Sequence, residues 1–228
     1  MEKTVVIGGS GFIGQAIQEQ VGKKGLDENF VFSYNKNAAF IDKRLHRARI
    51  NLLEKTNLEI IERSPVAIYV AGSADHGLAQ RSPSVDLDLN VKAFLHFAER
   101  FRGSLILLSS QAVYYGLEGE VRENVDHISM IPYGLSKQMT EAYAMHFCRT
   151  GVLRNLWIFR LMYAFGKGEK SRRLIPRCAD ASRGHGNVEI LGGGRSFMNP
   201  LPAWFVGRMP CTCNLERSFW LWEQDPSA

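Results

Sequence analysis

The chain has 228 residues, 45% of them hydrophobic and 22% charged, which suits a folded α/β domain with at most a small lobe and excludes a disordered chain. No apolar run is long enough to cross a membrane, the four cysteines form no CxxC pair or His/Cys metal spacing, and no basic-aromatic array argues for nucleic acid. The net charge of +5 arises wholly beyond residue 150, because residues 1–150 hold 17 Lys+Arg and 17 Asp+Glu whereas 151–228 hold 11 and 6; a phosphate-bearing substrate and a plain solvated basic face both fit it.

The N-terminal residues lead directly into an apolar run, Val5-Val6-Ile7, so no signal peptide is expected. Free thiols then fit a reducing cytoplasm, the expected location. Three glycines follow at a spacing of three, Gly8, Gly11 and Gly14, and a helix-compatible stretch covers 15–22. This is the strand, turn and helix start of a dinucleotide-binding unit. Gly8 permits the tight turn, Gly11 lets a pyrophosphate approach the backbone, and Gly14 lets the helix pack on the strand. The amides of Ser10, Phe12 and Ile13 and the positive end of the helix dipole then face the phosphates.

Phe30-Val31-Phe32-Ser33 reads as a second strand whose end meets the adenosine ribose. An NAD-selective site places a carboxylate there. Here Ser33, Asn35 and Lys36 follow, and Lys36 can pair with a 2′-phosphate, which favours NADP over NAD; an ordinary loop lysine is the alternative. The run Ile50-Asn51-Leu52-Leu53 adds Asn51 and Leu52 to the cofactor-lining candidates. A helix is predicted over 55–63, and Val66 to Val70 forms a strand ending in Ala71, Gly72 and Ser73, small residues over which a cofactor can lie. Helical apolar spacing covers 87–101. Leu105 to Leu108 is a buried strand ending in Ser109 and Ser110, a further helix reaches Cys148, and Leu156 to Phe159 begins another strand. The alternation predicts an α/β fold, a doubly wound parallel sheet with helices on both faces.

Tyr133 and Lys137 are four apart, which on a helix puts both on one face. An ammonium beside a phenol lowers its pKa, so Tyr133 is a candidate acid/base near neutral pH. Ser110, at a strand end, is placed to hydrogen-bond the same substrate oxygen.

Together these motifs resemble the extended short-chain dehydrogenase/reductase family, its NAD-dependent epimerase/dehydratase group, over roughly residues 3–200. The resemblance rests on Gly8 to Gly14, Ser109-Ser110-Gln111-Ala112-Val113-Tyr114, Pro132-Tyr133-Gly134-Leu135-Ser136-Lys137 and Phe159 to Gly166. It implies a Rossmann-like domain over 1–165 and a partial substrate lobe with an atypical tail over 166–228. It implies Tyr133 as acid/base, Lys137 holding the nicotinamide ribose, Ser110 orienting the reacting oxygen, and Asn90 in support near the cofactor. It implies hydride transfer on a nucleotide-linked sugar, and a homodimer through helices of the 87–101 and 133–148 regions. The 4,6-dehydratases of this family carry Asp-Glu after the catalytic Ser/Thr; Gln111-Ala112 stand here, so a 4-epimerase or keto-reductase is expected and a dehydratase disfavoured.

Two departures follow. Tyr163 occupies the place of a substrate-contacting Asn and cannot reproduce an amide's paired donor and acceptor. Gln111 and Arg195, the latter resembling a diphosphate-binding Arg, are the substrate candidates, but after Met198 the likeness fades. A catalytically limited dinucleotide-binding sensor or interaction protein is therefore the rival reading.

Overall fold

The computed structural model describes residues 3–189 and 198–212. Six strands form one parallel sheet: β1 (Thr4–Ile7), β2 (Phe30–Tyr34), β3 (His46–Arg49), β4 (Val66–Tyr69), β5 (Ser104–Ser110) and β6 (Asn155–Leu161). Their order is β3-β2-β1-β4-β5-β6. β1 is the pivot, with Val5 opposite Val31 on one side and Ala67 on the other. The chain winds outward from β1 in both directions, and the crevice at the carboxyl ends of β1 and β4 is where such sheets take ligands.

Strand alternation divides the core in two. Val5, Ile7, Tyr69, Leu105 and Leu107 point to a face packed with Phe94, Phe97 and Phe101. Val6, Phe32, Ile68, Ile106 and Trp157 point to the other, packed with Ile17 and Val21 of helix α1 (Phe12–Lys23). Both faces are apolar, so the strands read as continuous hydrophobic runs. The edge strand β3, His-Arg-Ala-Arg, has no such run and escapes sequence reading.

The helix predicted over 55–63 shrinks to α2 (Glu59–Glu62). The Asn51 side chain accepts from the amides of Leu53 and Glu54, and Lys55 and Asn57 adopt positive φ, so the preceding residues close as turns instead. Short helices α3 (His76–Arg81) and α4 (Pro83–Leu87) come next. The predicted 87–101 helix is interrupted: a π-helical turn covers Asp88–Lys92 before α5 (Ala93–Ala98). Helix α6 (Pro132–Arg149) starts with proline at its first turn, where no amide is lost to the ladder.

Beyond the sheet, β7 (Tyr163–Phe165) pairs with β8 (Pro200–Pro202), and α7 (Leu174–Ser182) lies between them in sequence. Helix α8 (Ala203–Thr212) packs against α1 with Val206 fully buried. Part of the atypical tail thus covers the nucleotide-binding layer. The predicted strand end and turn at 190–194, and the tail from Cys213 onward, lie outside the described residues.

Candidate active site

The glycine turn is built by exclusion of side chains. Gly8 has φ +92°, and a Cβ at Gly14 would strike the carbonyls of Gly8 and Gly9. The Gly8 amide donates to Ser33 Oγ at 2.9 Å and the Ser10 amide to the Ser33 carbonyl at 3.2 Å. Ser33 is buried, and its hydroxyl locks the turn by accepting from the Gly8 amide. Gly11, the residue before α1, is exposed, and no acidic side chain stands in the first turn of that helix. The cradle therefore suits a diphosphate sterically and electrostatically. Asn35 and Lys36 lie exposed past β2, and Arg49 Nε donates to the Asn35 carbonyl at 3.3 Å. Asn51 caps its own turn, and the Leu52 carbonyl accepts from His96 Nδ1 at 2.7 Å when that nitrogen carries the proton.

At the end of β4, Asn90 does the holding. Its Oδ1 accepts from the Ser73 amide at 2.9 Å, and its Nδ2 donates to the Ser73 carbonyl at 3.2 Å and to Asp86 Oδ1 at 2.8 Å. A Cβ on Gly72 would strike Asn90 Oδ1, so the residue there must be glycine, and its φ of +130° agrees. The π-turn carries Asn90, and Thr140 Oγ1 of α6 donates to the Asn90 carbonyl at 3.2 Å. Extra turns of this kind recur at functional sites. Ala71 abuts Gly8, which brings the β1 and β4 ends together.

The catalytic candidates converge at the end of β5. Ser110 accepts from the Ala112 amide at 3.2 Å, and its hydroxyl lies near enough to the Tyr133 phenol to act on its pKa. Tyr133 and Lys137 are both buried on α6. Lys137 Nζ donates to the Leu108 carbonyl at 3.1 Å. Burial brings its pKa down to about 8, with Glu141 and Asp86 opposing. Tyr133 departs from the sequence expectation: burial pushes the phenol up, the Ser110 hydroxyl opposes, Asp86 adds to the rise and Arg173 counters it. The Lys137 ammonium is engaged by a backbone carbonyl, so the lowering expected of it gives way to desolvation. Gln111 stands exposed beside Ser110. Arg195 lies outside the described residues.

Four residues escaped sequence reading. Asp86 is almost fully buried and receives the Asn90 amide; its spacing of four before Asn90 was the available signal. His76 lies against the Tyr133 ring, with centroids 4.7 Å apart and planes 30° apart. Glu169 takes the Tyr163 hydroxyl at 2.8 Å and pairs with Arg173 at 3.2 Å, while the Arg173 guanidinium lies 4.2 Å above the Tyr163 ring. Tyr163 thus helps to hold an arginine, a different task from the amide it displaces. Glu169 and Arg173 are again four apart, whereas the His76 contact with Tyr133 crosses elements and leaves no local pattern.

A pivoted parallel sheet, a side-chain-free turn at its centre and a Ser-Tyr-Lys set at the next strand end define a dinucleotide-binding α/β protein. The chain belongs to the NAD dependent epimerase/dehydratase family, whose model matches residues 4–199. Among solved structures it is similar to UDP-N-acetylglucosamine 4-epimerase from Methanobrevibacter ruminantium, at 19% identity and TM-score 0.78 over 91% of this chain and 71% of that one. It is similar to UDP-glucose 4-epimerase from Thermus thermophilus in complex with NAD, at 20% identity and TM-score 0.77 over 90% of this chain and 72% of that one. The UDP-glucuronic acid 4-epimerase from Bacillus cereus, in complex with UDP-glucuronic acid and NAD, matches at 17% identity and TM-score 0.77 over 90% and 71%. At such identities the likeness is one of fold. No curated protein matches the chain.

Proposed function

We propose that the protein is an NAD-dependent 4-epimerase of a UDP-linked sugar. The observation that carries this reading is the junction of the Ser110 and Tyr133 hydroxyls with buried Lys137 one helical turn away. Family membership and the fold shared with three sugar-nucleotide 4-epimerases support it. The amides around Gly8 to Gly14 would hold the diphosphate of the cofactor, and Ala71 to Ser73, fixed by Asn90, would line its path towards Lys137. The nicotinamide, when bound, supplies reversible hydride acceptance at the sugar carbon. Tyr133 first releases its own proton to solvent, as the phenolate that the Lys137 charge and the Ser110 hydroxyl would stabilise. It then takes the proton of the reacting hydroxyl and returns it; Ser110 holds that oxygen, and Lys137 holds the ribose.

NAD is favoured over NADP in this reading, since the argument for NADP rests on exposed Lys36 alone and two of the similar structures hold NAD. The fold shared with 4-epimerases favours epimerase over reductase, and Gln111, which carries no titratable carboxyl, argues against a dehydratase. The division into a nucleotide-binding unit over 1–165 and a substrate unit over 166–228 is kept as part of the proposal, with α8 serving the first. A homodimer is proposed through α6, whose Leu135, Met139 and Tyr143 form an exposed apolar stripe at a spacing of four, next to Val85 and Leu87 of α4.

Incubation with UDP-glucose, UDP-N-acetylglucosamine and UDP-glucuronic acid plus NAD, followed by NMR, tests the reading. Appearance of the C4 epimer of one of them supports it. NAD binding without conversion of any would replace it with the sensor reading.

A further inference from the structure

His76 opens α3 immediately after Asp75, which caps that helix by accepting from the Leu78 amide at 3.0 Å. The cap fixes the backbone of the next residue, so the imidazole is directed rather than free. Asp75 is itself tied to Arg172 at 2.7 Å. The result is a ring laid on Tyr133 at 4.7 Å and 30°, while the residue stays exposed towards solvent. The phenol also packs with Ala79, Ala112 and Ile131. The Tyr133 ring thus packs with these apolar groups and with one imidazole.

We propose that His76 is a positioning residue for Tyr133, its neutral ring pressing the phenol into the orientation from which the hydroxyl reaches Ser110 and the substrate oxygen. This rests on the assignment of Tyr133 as acid/base. Stacking of a neutral imidazole restricts the Tyr133 torsion without using a hydrogen bond, which leaves the hydroxyl free for chemistry. The groups around His76 are Asp75 on its own helix cap, Asp86 from α4, Tyr133 from α6 and Arg173 ahead of α7. Burial and the Arg173 charge keep the imidazole more acidic than usual, against Asp75 and Asp86. These effects favour the neutral ring, and protonation in acid would set a hydrated cation in its place.

Two variants test the proposal. His76→Phe keeps a stacking ring that cannot titrate, and His76→Ala removes it. Loss of one aromatic contact predicts a kcat for His76→Ala that is roughly two- to tenfold lower at pH 7.5 with KM unchanged. His76→Phe should recover kcat and lose the acid-side decline of kcat expected of the wild type. A wild-type kcat in His76→Ala, or an unchanged acid limb in His76→Phe, overturns the proposal. A readout independent of turnover is the NMR spectrum of His76. Its ring protons should be shifted by the Tyr133 ring current and return to ordinary positions in Tyr133→Leu. Absence of that change overturns the proposal even if no sugar is converted, and its presence in an inactive protein would count against the epimerase reading alone.

Discussion

The β1 turn and the β4–β5–α6 junction do opposite things with side chains. At the β1 turn the site is made by leaving them out: Gly8, Gly11 and Gly14 open the backbone, and a single buried hydroxyl, Ser33, locks the loop. At the junction it is made by burying polar groups: Asp86, Asn90, Ser136, Lys137, Thr140 and Glu141 are all inaccessible, and they are joined by hydrogen bonds or charge. The first needs only sterics and amides to hold a phosphate. The second buries charge at a cost in folding, the kind of arrangement that marks functional sites.

The difference can be broken from either side. The largest effect is expected from Tyr133→Phe, which should lower kcat by about 10²- to 10⁴-fold while leaving NAD affinity within a factor of about three; steady-state kinetics and a cofactor titration check both parts. Next is Gly14→Ala. Its methyl group must displace two backbone carbonyls, so stability should fall by about 1–3 kcal/mol and NAD binding should be lost with it. Urea denaturation and the same titration read these.

Lys137→Met sharpens the contrast, because it should stabilise the protein while abolishing turnover. The ammonium pKa falls from 10.5 to about 8 on burial. A depressed lysine pKa means that the unfolded chain holds the proton more tightly, so the penalty is complete below pH 8 and fades as pH rises to about 10.4. Subtracting the unpaired Leu108 carbonyl, the gain at pH 7 should be about 2 kcal/mol, shrinking above pH 8. A loss of stability at pH 7 would contradict this account. The smallest effect is Ser33→Ala, which orphans the Gly8 amide and should cost about 1 kcal/mol in stability and a few-fold in NAD affinity.

The β1 turn was legible in the sequence because each glycine answers a local requirement, and the strand before it is a short apolar run. The contact of the Ser33 hydroxyl with the Gly8 amide, 25 residues apart, is one that spacing does not encode. The junction was legible only in part. Ser110, Tyr133 and Lys137 follow from motif spacing, but the Lys137 charge turns to a carbonyl and the phenol pKa rises, because desolvation outweighs a neighbour already engaged. His76, Asp86 and Arg173 gain their meaning from contacts between α3, α4, α6 and the segment before α7. Edge strand β3 and the π-turn at Asp88–Lys92 were missed because polar edges and inserted residues leave the apolar period almost unchanged.

The central claim is that Ser110, Tyr133 and Lys137 invert a sugar carbon while its hydrogen stays in the protein. The most direct measurement uses UDP-sugars deuterated at C4, with NAD present and the product read by NMR. The account predicts a C4 epimer that keeps its deuterium, and none from Tyr133→Phe. Epimer that has lost its label to water, or undiminished formation by Tyr133→Phe, would contradict it.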